Sequence, residues 1–412
     1  MPFTNTATKK RTLLAAAVEA EGYANESPST APTLQNLLET SEALKTTPEY
    51  SRSANRRSDR NRPGAFLSGS STGGDIGIQL PFGHYDFMLE GLYYSAGFST
   101  PATPVTATTI SLQSIATSST NYAKILDSGN GLGGLNLGET IELEGSGTAG
   151  GVNNVVCKVH SVAAGEVEVA NVDFTDEAAG ASITITEFAS ITNGITPSSY
   201  VLERVYTDQT GTPTGKVATF IGALMDGIEL TWAPRQLVNG SFNVLGSVEL
   251  DRTTTFGDGA NIAQPQDISM NAVQHIGGIR VGGERLRIAQ IVLRLANGNQ
   301  GMEEVGRLGP FDYAEDDAVV TGEIQAYYTT GSASSAEEFQ KSLVGQSSSL
   351  YIPMRDGAGN QYVFDTPTIK YTDSDRSPGD TSPGGLIVTL PFEAEITLAE
   401  LMTTRLARRA AA

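Results

Sequence analysis

The sequence predicts a mainly β protein, a β-sandwich or barrel with flanking α-helices and a small all-β domain inserted into it. Three observations predict that class. Between Val217 and Asp251, Ile228, Leu230 and Trp232 alternate with Glu229 and Thr231, and Phe242, Val244, Val248 and Leu250 alternate with Ser241, Asn243, Ser247, Glu249 and Asp251. Successive side chains of a strand point to opposite faces, so this pattern gives two strands with one apolar and one polar face. Pro234 and Asn239-Gly240 supply the turn between them. Next, the 412 residues include 45 glycines and only 18% charged residues, a balance that suits short strands and frequent turns. Finally, between residues 105 and 195 Thr, Ser, Gly and Val dominate, and the texture changes. At roughly 100 to 200 residues per domain, the chain divides into an N-terminal arm (1–30), a discontinuous main domain (31–104 and 196–412) and the inserted domain (105–195).

Taken in order, residues 1–30 surround Lys9-Lys10-Arg11 without sustained periodicity and read as an arm that orders only against something else. Leu34, Leu37, Leu38 and Leu44 behind Pro32 predict a short helix over 33–44. Arg52, Arg56, Arg57, Arg60 and Arg62 form the one strongly basic stretch. No aromatic is interleaved, so it reads as a solvated or intersubunit loop ahead of a nucleic-acid clamp. Residues 75–80 predict a strand. Tyr85, Met88, Leu89, Leu92 and Tyr93 fall on one face of a helix over 85–94, closed by Gly97.

Within the insert, strands are predicted at 140–143, 155–159, 165–172 and 182–188, and the main fold resumes at residue 200. Residues 253–278 read as a long loop or arm. Ile291, Leu293 and Leu295 repeat the alternation of Ile228, Leu230 and Trp232, and residues 320–326 resemble 238–244, a weak internal repeat. Ser335-Ala-Glu-Glu338 is a capping-box pattern opening a helix over 336–344 with Phe339 and Leu343 inside. Strands follow at 350–354 and 362–371 around the turn Asp356–Asn360. The last strand covers 386–396, and a basic tail carries Arg405, Arg408 and Arg409.

The net charge of −19 argues against a nucleic-acid or anionic-membrane binder, because such partners need clustered Lys and Arg. It fits a surface that repels polyanions. Cys157 is the single cysteine, so no intrachain disulfide forms, and its run Val155-Val156-Cys157-Lys158-Val159 buries it. No stretch approaches the roughly 20 apolar residues of a membrane helix, and Leu13–Val18 is short even for a signal peptide. The expectation is a protein made in the cytoplasm that binds no membrane.

Four motifs could carry chemistry. Gly69-Ser-Ser71-Thr-Gly73 matches a nucleophile elbow, but a strand follows where a helix is needed, and neither His160 nor His275 sits in a suggestive context. Gly129-Asn-Gly131-Leu-Gly-Gly134 also leads into a strand and reads as a turn. Residues 373–380 open like a calcium loop, yet Pro378 takes the place of the turning glycine and Gly384 stands where a Glu should close it. His84, His160 and His275 are too scattered for a metal site. The acidic run Glu303-Glu304…Asp312…Glu315-Asp316-Asp317 is either a polar loop or a surface facing an anion. The reading is no enzyme, no cofactor and no metal.

Several blocks together carry a family resemblance. They are Thr47–Arg52 with Arg56–Arg60, Gly73–Leu80, Tyr85–Tyr93, Tyr200–Asp208, Gly222–Trp232, Val238–Gly246 and Val320–Tyr327. In that order the chain resembles the major tail tube proteins of long-tailed bacteriophages and prophages over most of its length outside 105–195. The resemblance implies a tail-tube β-sandwich that assembles into rings, usually hexameric, stacked into a tube through which DNA passes without specific binding. It implies tail tip, tape measure and terminator proteins as partners and the virion tail as location. Gly151-Val-Asn-Asn154 looks like part of the extra domain some members carry outside the tube. Glu229, Glu249 and Asp251 are the candidate lumen or intersubunit polar face, and Arg52, Arg56, Arg57, Arg60 and Arg62 the candidate intersubunit loop. The rival expectation is a virion-surface or secreted β module that recognises carbohydrate through the insert.

Overall fold

The computed structural model describes residues 13–19, 30–54, 62, 64–115, 122–147, 153–207, 213–264, 269–272, 274, 276–331, 334–376, 385–397 and 400–411. Its first part holds β1 (Leu13–Val18), β2 (Gln35–Asn36), β3 (Glu39–Glu42), β4 (Lys45–Arg52), β5 (Ala65–Gln79) and α1 (Asp86–Leu92). A run of short strands follows: β6 (Val105–Ala107), β7 (Ile110–Ser114), β8 (Tyr122–Asp127), β9 (Thr140–Glu144), β10 (Val156–Ala163), β11 (Glu166–Ala170) and β12 (Ile183–Glu187). Then come β13 (Ala189–Thr192), β14 (Tyr200–Thr207), β15 (Pro213–Trp232), β16 (Asn239–Gly246), β17 (Val248–Arg252), β18 (Arg280–Val281), β19 (Glu284–Arg285), β20 (Ile288–Ala296), β21 (Gln300–Met302), β22 (Asp312–Ala314) and β23 (Val319–Tyr327). The chain closes with α2 (Ser335–Val344), β24 (Ser348–Arg355), β25 (Gln361–Tyr371), β26 (Ile387–Ala394) and β27 (Arg405–Arg409).

The protein is a β-sandwich. One layer is the antiparallel series β5, β16, β15, β20, β23 and β26. At the end of β26 the sheet turns through β25, which carries β24 on one edge and β27 on the other. Ile228, Leu230, Trp232, Phe242, Leu293, Ile324 and Leu390 of the first layer share one core with Ile352, Met354, Tyr362, Phe364 and Leu406 of the second. Trp232 spans the layers, edge-on to Phe364 at 5.6 Å between centroids, with its indole N–H 3.2 Å from Met354 Sδ. Helix α1 closes one end of this core with Met88, Leu89 and Leu92. Tyr200 pins it by donating from its hydroxyl to the Phe87 carbonyl at 2.5 Å.

Strand β15 is long enough to serve two sheets. Its second half lies between β16 and β20, and its first half between β14 and β17. Gly222 adopts φ +64°, a left-handed conformation that glycine enters without steric cost. There the strand bends, and the residues facing the main core change parity, from Ala218 and Phe220 to Ala223 and Met225. Its partner bends at Ser247, which is buried and donates to the Pro310 carbonyl. The stretch 241–251 is therefore two strands with opposite facing, because Val248 and Leu250 pack into a second cluster with Ala15, Ala17, Leu34, Val201, Ile221 and Phe256.

Strands β6 to β12 make a separate sheet in the order β6, β12, β9, β10, β11, β8, β7. It surrounds its own core of Ile110, Leu112, Ile125, Ile141, Leu143, Cys157, Val159, Val167, Val169, Ile183 and Ile185. Burial pushes the Cys157 thiol well up from its ordinary pKa, which leaves it a packing residue.

Several expectations are corrected. Residues 13–18, read as part of an arm, form β1, with Leu14 and Ala16 in the main core and Ala15 and Ala17 in the second. Both faces are apolar, so no alternation marked it. Residues 33–44 hold β2 and β3 and no helix. An extended chain lets Leu34 enter the second cluster while Leu37 and Leu44 enter the main core, which one helical face could not do. Helix α1 ends at Leu92 with Tyr93 as its cap, ahead of Gly97. In α2 the cap is Ser334, whose hydroxyl accepts from Glu337 N–H, while Ser335 donates to the Tyr327 carbonyl. Phe339 is buried there, but Leu343 is 65% exposed. The basic tail is strand β27, with Leu406 and Ala407 fully buried.

The two stretches of the weak repeat occupy equivalent places. β15 with β16, and β20 with β23, are antiparallel pairs whose first strands lie side by side, Leu230 opposite Leu293.

Candidate functional surfaces

The outer face of the six-strand layer is a continuous polar surface among the described residues. Register places Asp75, Asn243, Ser241, Glu229, Thr231, Arg294, Thr321, Glu323, Gln325 and Glu393 on it, because each alternates with a core residue of its own strand. The polar groups tie neighbouring strands together. Asn243 of β16 donates to Asp75 of β5 at 3.0 Å, while within β23 Gln325 donates to Glu323 two residues back at 2.6 Å. Arg294 and Glu229, directly opposite each other, form an ion pair at 2.6 Å, both side chains about half exposed. Cross-strand pairs of this kind add a few tenths of a kcal/mol to about 1 each. Arg294 is neutralised in place, which leaves Asp75, Glu323 and Glu393 as net negative charge.

The other two acidic candidates do not share this face. Beyond the bend at Ser247, Glu249 stands opposite Phe220 and Asp251 opposite Ala218, on the side that carries core residues in β15. Glu249 accepts from the Thr46 amide at 3.0 Å. Asp251 is exposed and pairs with Lys216 at 3.0 Å, a contact of little stability in water.

The β4–β5 hairpin runs out from the sandwich with both strands exposed near their ends. Tyr50 is 65% exposed and faces Leu67, and Phe66, 59% exposed, faces Ser51. Arg52 ends β4 and is exposed, as is Arg62; Arg56, Arg57 and Arg60 lie outside the described residues. Basic and apolar groups are thus presented together at the projecting end.

A third surface is the seam between the 7-stranded sheet and the second layer of the sandwich. Glu142, almost fully buried on β9, is held by Arg409, by Arg355 at 3.3 Å and by Gln361 at 2.6 Å. Arg409 also reaches Glu144 at 3.3 Å, Arg280 reaches Asp173 at 2.8 Å, and Arg405 donates to the Gly138 carbonyl. Phe188, Tyr351, Val363 and Ala407 form the apolar part. On the sandwich side, Arg408 pairs with Asp86 of α1 and lies 3.9 Å from the Phe98 ring centroid. The arginines of β27 are therefore structural clamps. Arg409→Met is expected to cost about 1–3 kcal/mol, the range for stripping a partner from a buried group, because Glu142 keeps Arg355 and Gln361. Hydrogen exchange in β9 and β12 should rise ahead of that in β15; uniform exchange would contradict the clamp.

The motif residues take ordinary roles. Ser71 lies within β5, with strand on both sides. Asp127 accepts from Thr109 and from the Gly129 and Gly131 amides, contacts that hold its carboxyl below the usual range, so residues 129–134 are a braced turn. His84 is buried, 2.9 Å from Gln35, and His160 stacks on Tyr122 at 4.3 Å. His275 and most of the calcium-like loop lie outside the described residues. Asp226 had no signal in the sequence. At a bulge in β15 it accepts from the backbone and side-chain N–H groups of Asn299, anchoring the loop after β20.

Fold and surfaces together define a structural β-sandwich protein with a continuous polar sheet face and a projecting hairpin. The chain belongs to the phage tail tube protein family, whose model matches residues 9–394. A search of curated proteins finds no match. Membership makes it a structural component of the virion tail that assembles with copies of itself and with other tail proteins. Strand β27 lies beyond the matched segment.

Proposed function

We propose that the chain closes into stacked, hexameric rings whose bore is lined by the outer face of β5, β16, β15, β20, β23 and β26, and that DNA leaves the virion through it. The observation that carries this reading is the character of that face. It carries polar side chains and carboxylates, with Val292 and Pro391 among them, and its cation Arg294 is ion-paired with Glu229. Such a face repels phosphates and offers them no release of counterions, so a polyanion slides along it. A long exposed strand such as β4 invites pairing, and closing edges around a ring removes that hazard. A contact that closes by rotation gives a ring, and a second one along the axis gives an open stack. The basic and apolar hairpin of β4 and β5 supplies the axial contact, and Glu249 and Asp251 face a neighbouring subunit.

The separate sheet β6–β12 of the 105–195 insert seats on β24, β25 and β27, across the sandwich from the polar face, while β13 at the end of that range pairs with β27 within the sandwich. It stands outside the tube in this arrangement. Tail tip, tape measure and terminator proteins meet the tube at its ends and interior, and the subunit is synthesised in the host cytoplasm before assembly. Negative-stain electron microscopy of purified protein tests the proposal: rings or tubes are expected, and a stable monomer at high concentration that retains glycan would replace it with the carbohydrate-binding reading.

A further inference from the structure

Lys158, on β10, reaches into the seam, where its Nζ is 2.7 Å from Oδ2 of Asp365 on β25 and 2.8 Å from Oε1 of Glu400. The three side chains are 8%, 2% and 13% exposed. Among the described residues no well-angled hydrogen bond reaches Asp365 Oδ2, so the amine nitrogen is its close polar neighbour. Asp365 is fixed on a strand paired on both edges, opposite Tyr351 of β24 and Arg405 of β27. Glu400 is held from its other oxygen by Arg405, 3.4 Å from Oε2. A cleft of about 240 Å³, bordered by Tyr122 and His160, opens beside the three groups.

We propose that Lys158 and Asp365 condense to an intramolecular isopeptide bond, with Glu400 as the proton carrier, and so fasten the inserted domain covalently to the sandwich. With the nitrogen 2.7 Å from a carboxyl oxygen, the carboxyl carbon lies within about 4 Å, a short closure from the roughly 3–3.5 Å of an attack geometry. Burial works against the Lys158 ammonium and the two carboxylates offset it, so Nζ starts protonated. The first step passes one proton from Nζ to Asp365, giving a neutral amine and a neutral acid. The amine lone pair then attacks Cγ, and a C–N bond forms. Glu400 takes a proton from the nitrogen and returns it to the departing hydroxyl as the C–O bond breaks. One water leaves through the cleft, Glu400 ends as it began, and no oxidant or activated intermediate is needed. Two buried ions, each costly to desolvate, are replaced by a neutral amide.

Asp365 is assigned as the acyl partner because it is the more buried carboxyl and sits on a rigid strand. Glu400, anchored as an anion by Arg405, is suited to carrying the proton.

The test is the intact mass of the full-length protein, measured after denaturation. The expected result is a chain lighter than its sequence by one water, with a branched peptide joining Lys158 to Asp365 after digestion. Lys158→Arg and Glu400→Gln should restore the full mass while circular dichroism keeps the β signature. A wild-type mass equal to the sequence overturns the proposal, as does a water loss that maps to a single unbranched peptide. A branch through Glu400, or a bond that still forms fully in Glu400→Gln, overturns the roles assigned.

Discussion

Changing Asp75, Glu229, Glu323 and Glu393 to lysine together is expected to leave the subunit folded and to convert a conduit into a DNA trap. All four side chains stand on the outer face of the six-strand layer, so the core is untouched. Individually, exposed charge changes cost within about 0.5 kcal/mol of stability. Their summed effect on a polyanion is large, because each lysine that meets a phosphate releases a counterion. Affinity gained that way falls by orders of magnitude between 50 and 200 mM salt, on the order of 10³–10⁵ for six to ten contacts. Tubes of the variant should retain DNA in low salt and free it in high salt, read as the fraction of genome ejected against ionic strength. Ejection equal to wild type at every salt concentration would contradict the placement of this face in the bore.

Trp232→Ala is expected to destabilise the subunit by about 3–5 kcal/mol, the range for truncating a buried Trp or Phe. Its indole is 2% exposed and reaches from the first layer to Phe364 and Met354 of the second. Nothing nearby can fill the space, because the residues around it belong to strands fixed by their own ladders. Urea unfolding should show the midpoint falling with the slope unchanged. A loss below about 1 kcal/mol would mean that the layers are held together elsewhere.

Much of the sandwich was legible in the sequence because half of each wall strand is wet. Ile228, Leu230 and Trp232 in β15, and Ile291, Leu293 and Leu295 in β20, alternate with polar residues for that reason. Strands buried on both faces gave no such signal. β1 reads as a run of Leu and Ala, and β27 as a string of arginines, although Leu406 and Ala407 are fully buried. The arginines looked like a tail because, Glu400 beside Arg405 apart, their partners Asp86, Glu139, Glu142 and Glu144 lie hundreds of residues away. The helix expected over 33–44 failed for a related reason: its leucines serve two cores on different sides of the chain.

The polar face was half legible. Glu229 was found from alternation, and the same signal in β5, β23 and β26 could have found Asp75, Glu323 and Glu393. Grouping Glu249 and Asp251 with Glu229 assumed unbroken alternation through 241–251. Ser247 breaks it, opposite the bend that Gly222 makes in β15, and a glycine's left-handed φ cannot be told from an ordinary strand glycine by its letter.

A three-dimensional reconstruction of assembled tubes tests the central claim most directly. The account predicts Glu229, Arg294, Glu323 and Glu393 at the inner radius, with the 105–195 domain on the outside. Those residues on the outer surface, or the inserted domain in the bore, would contradict it.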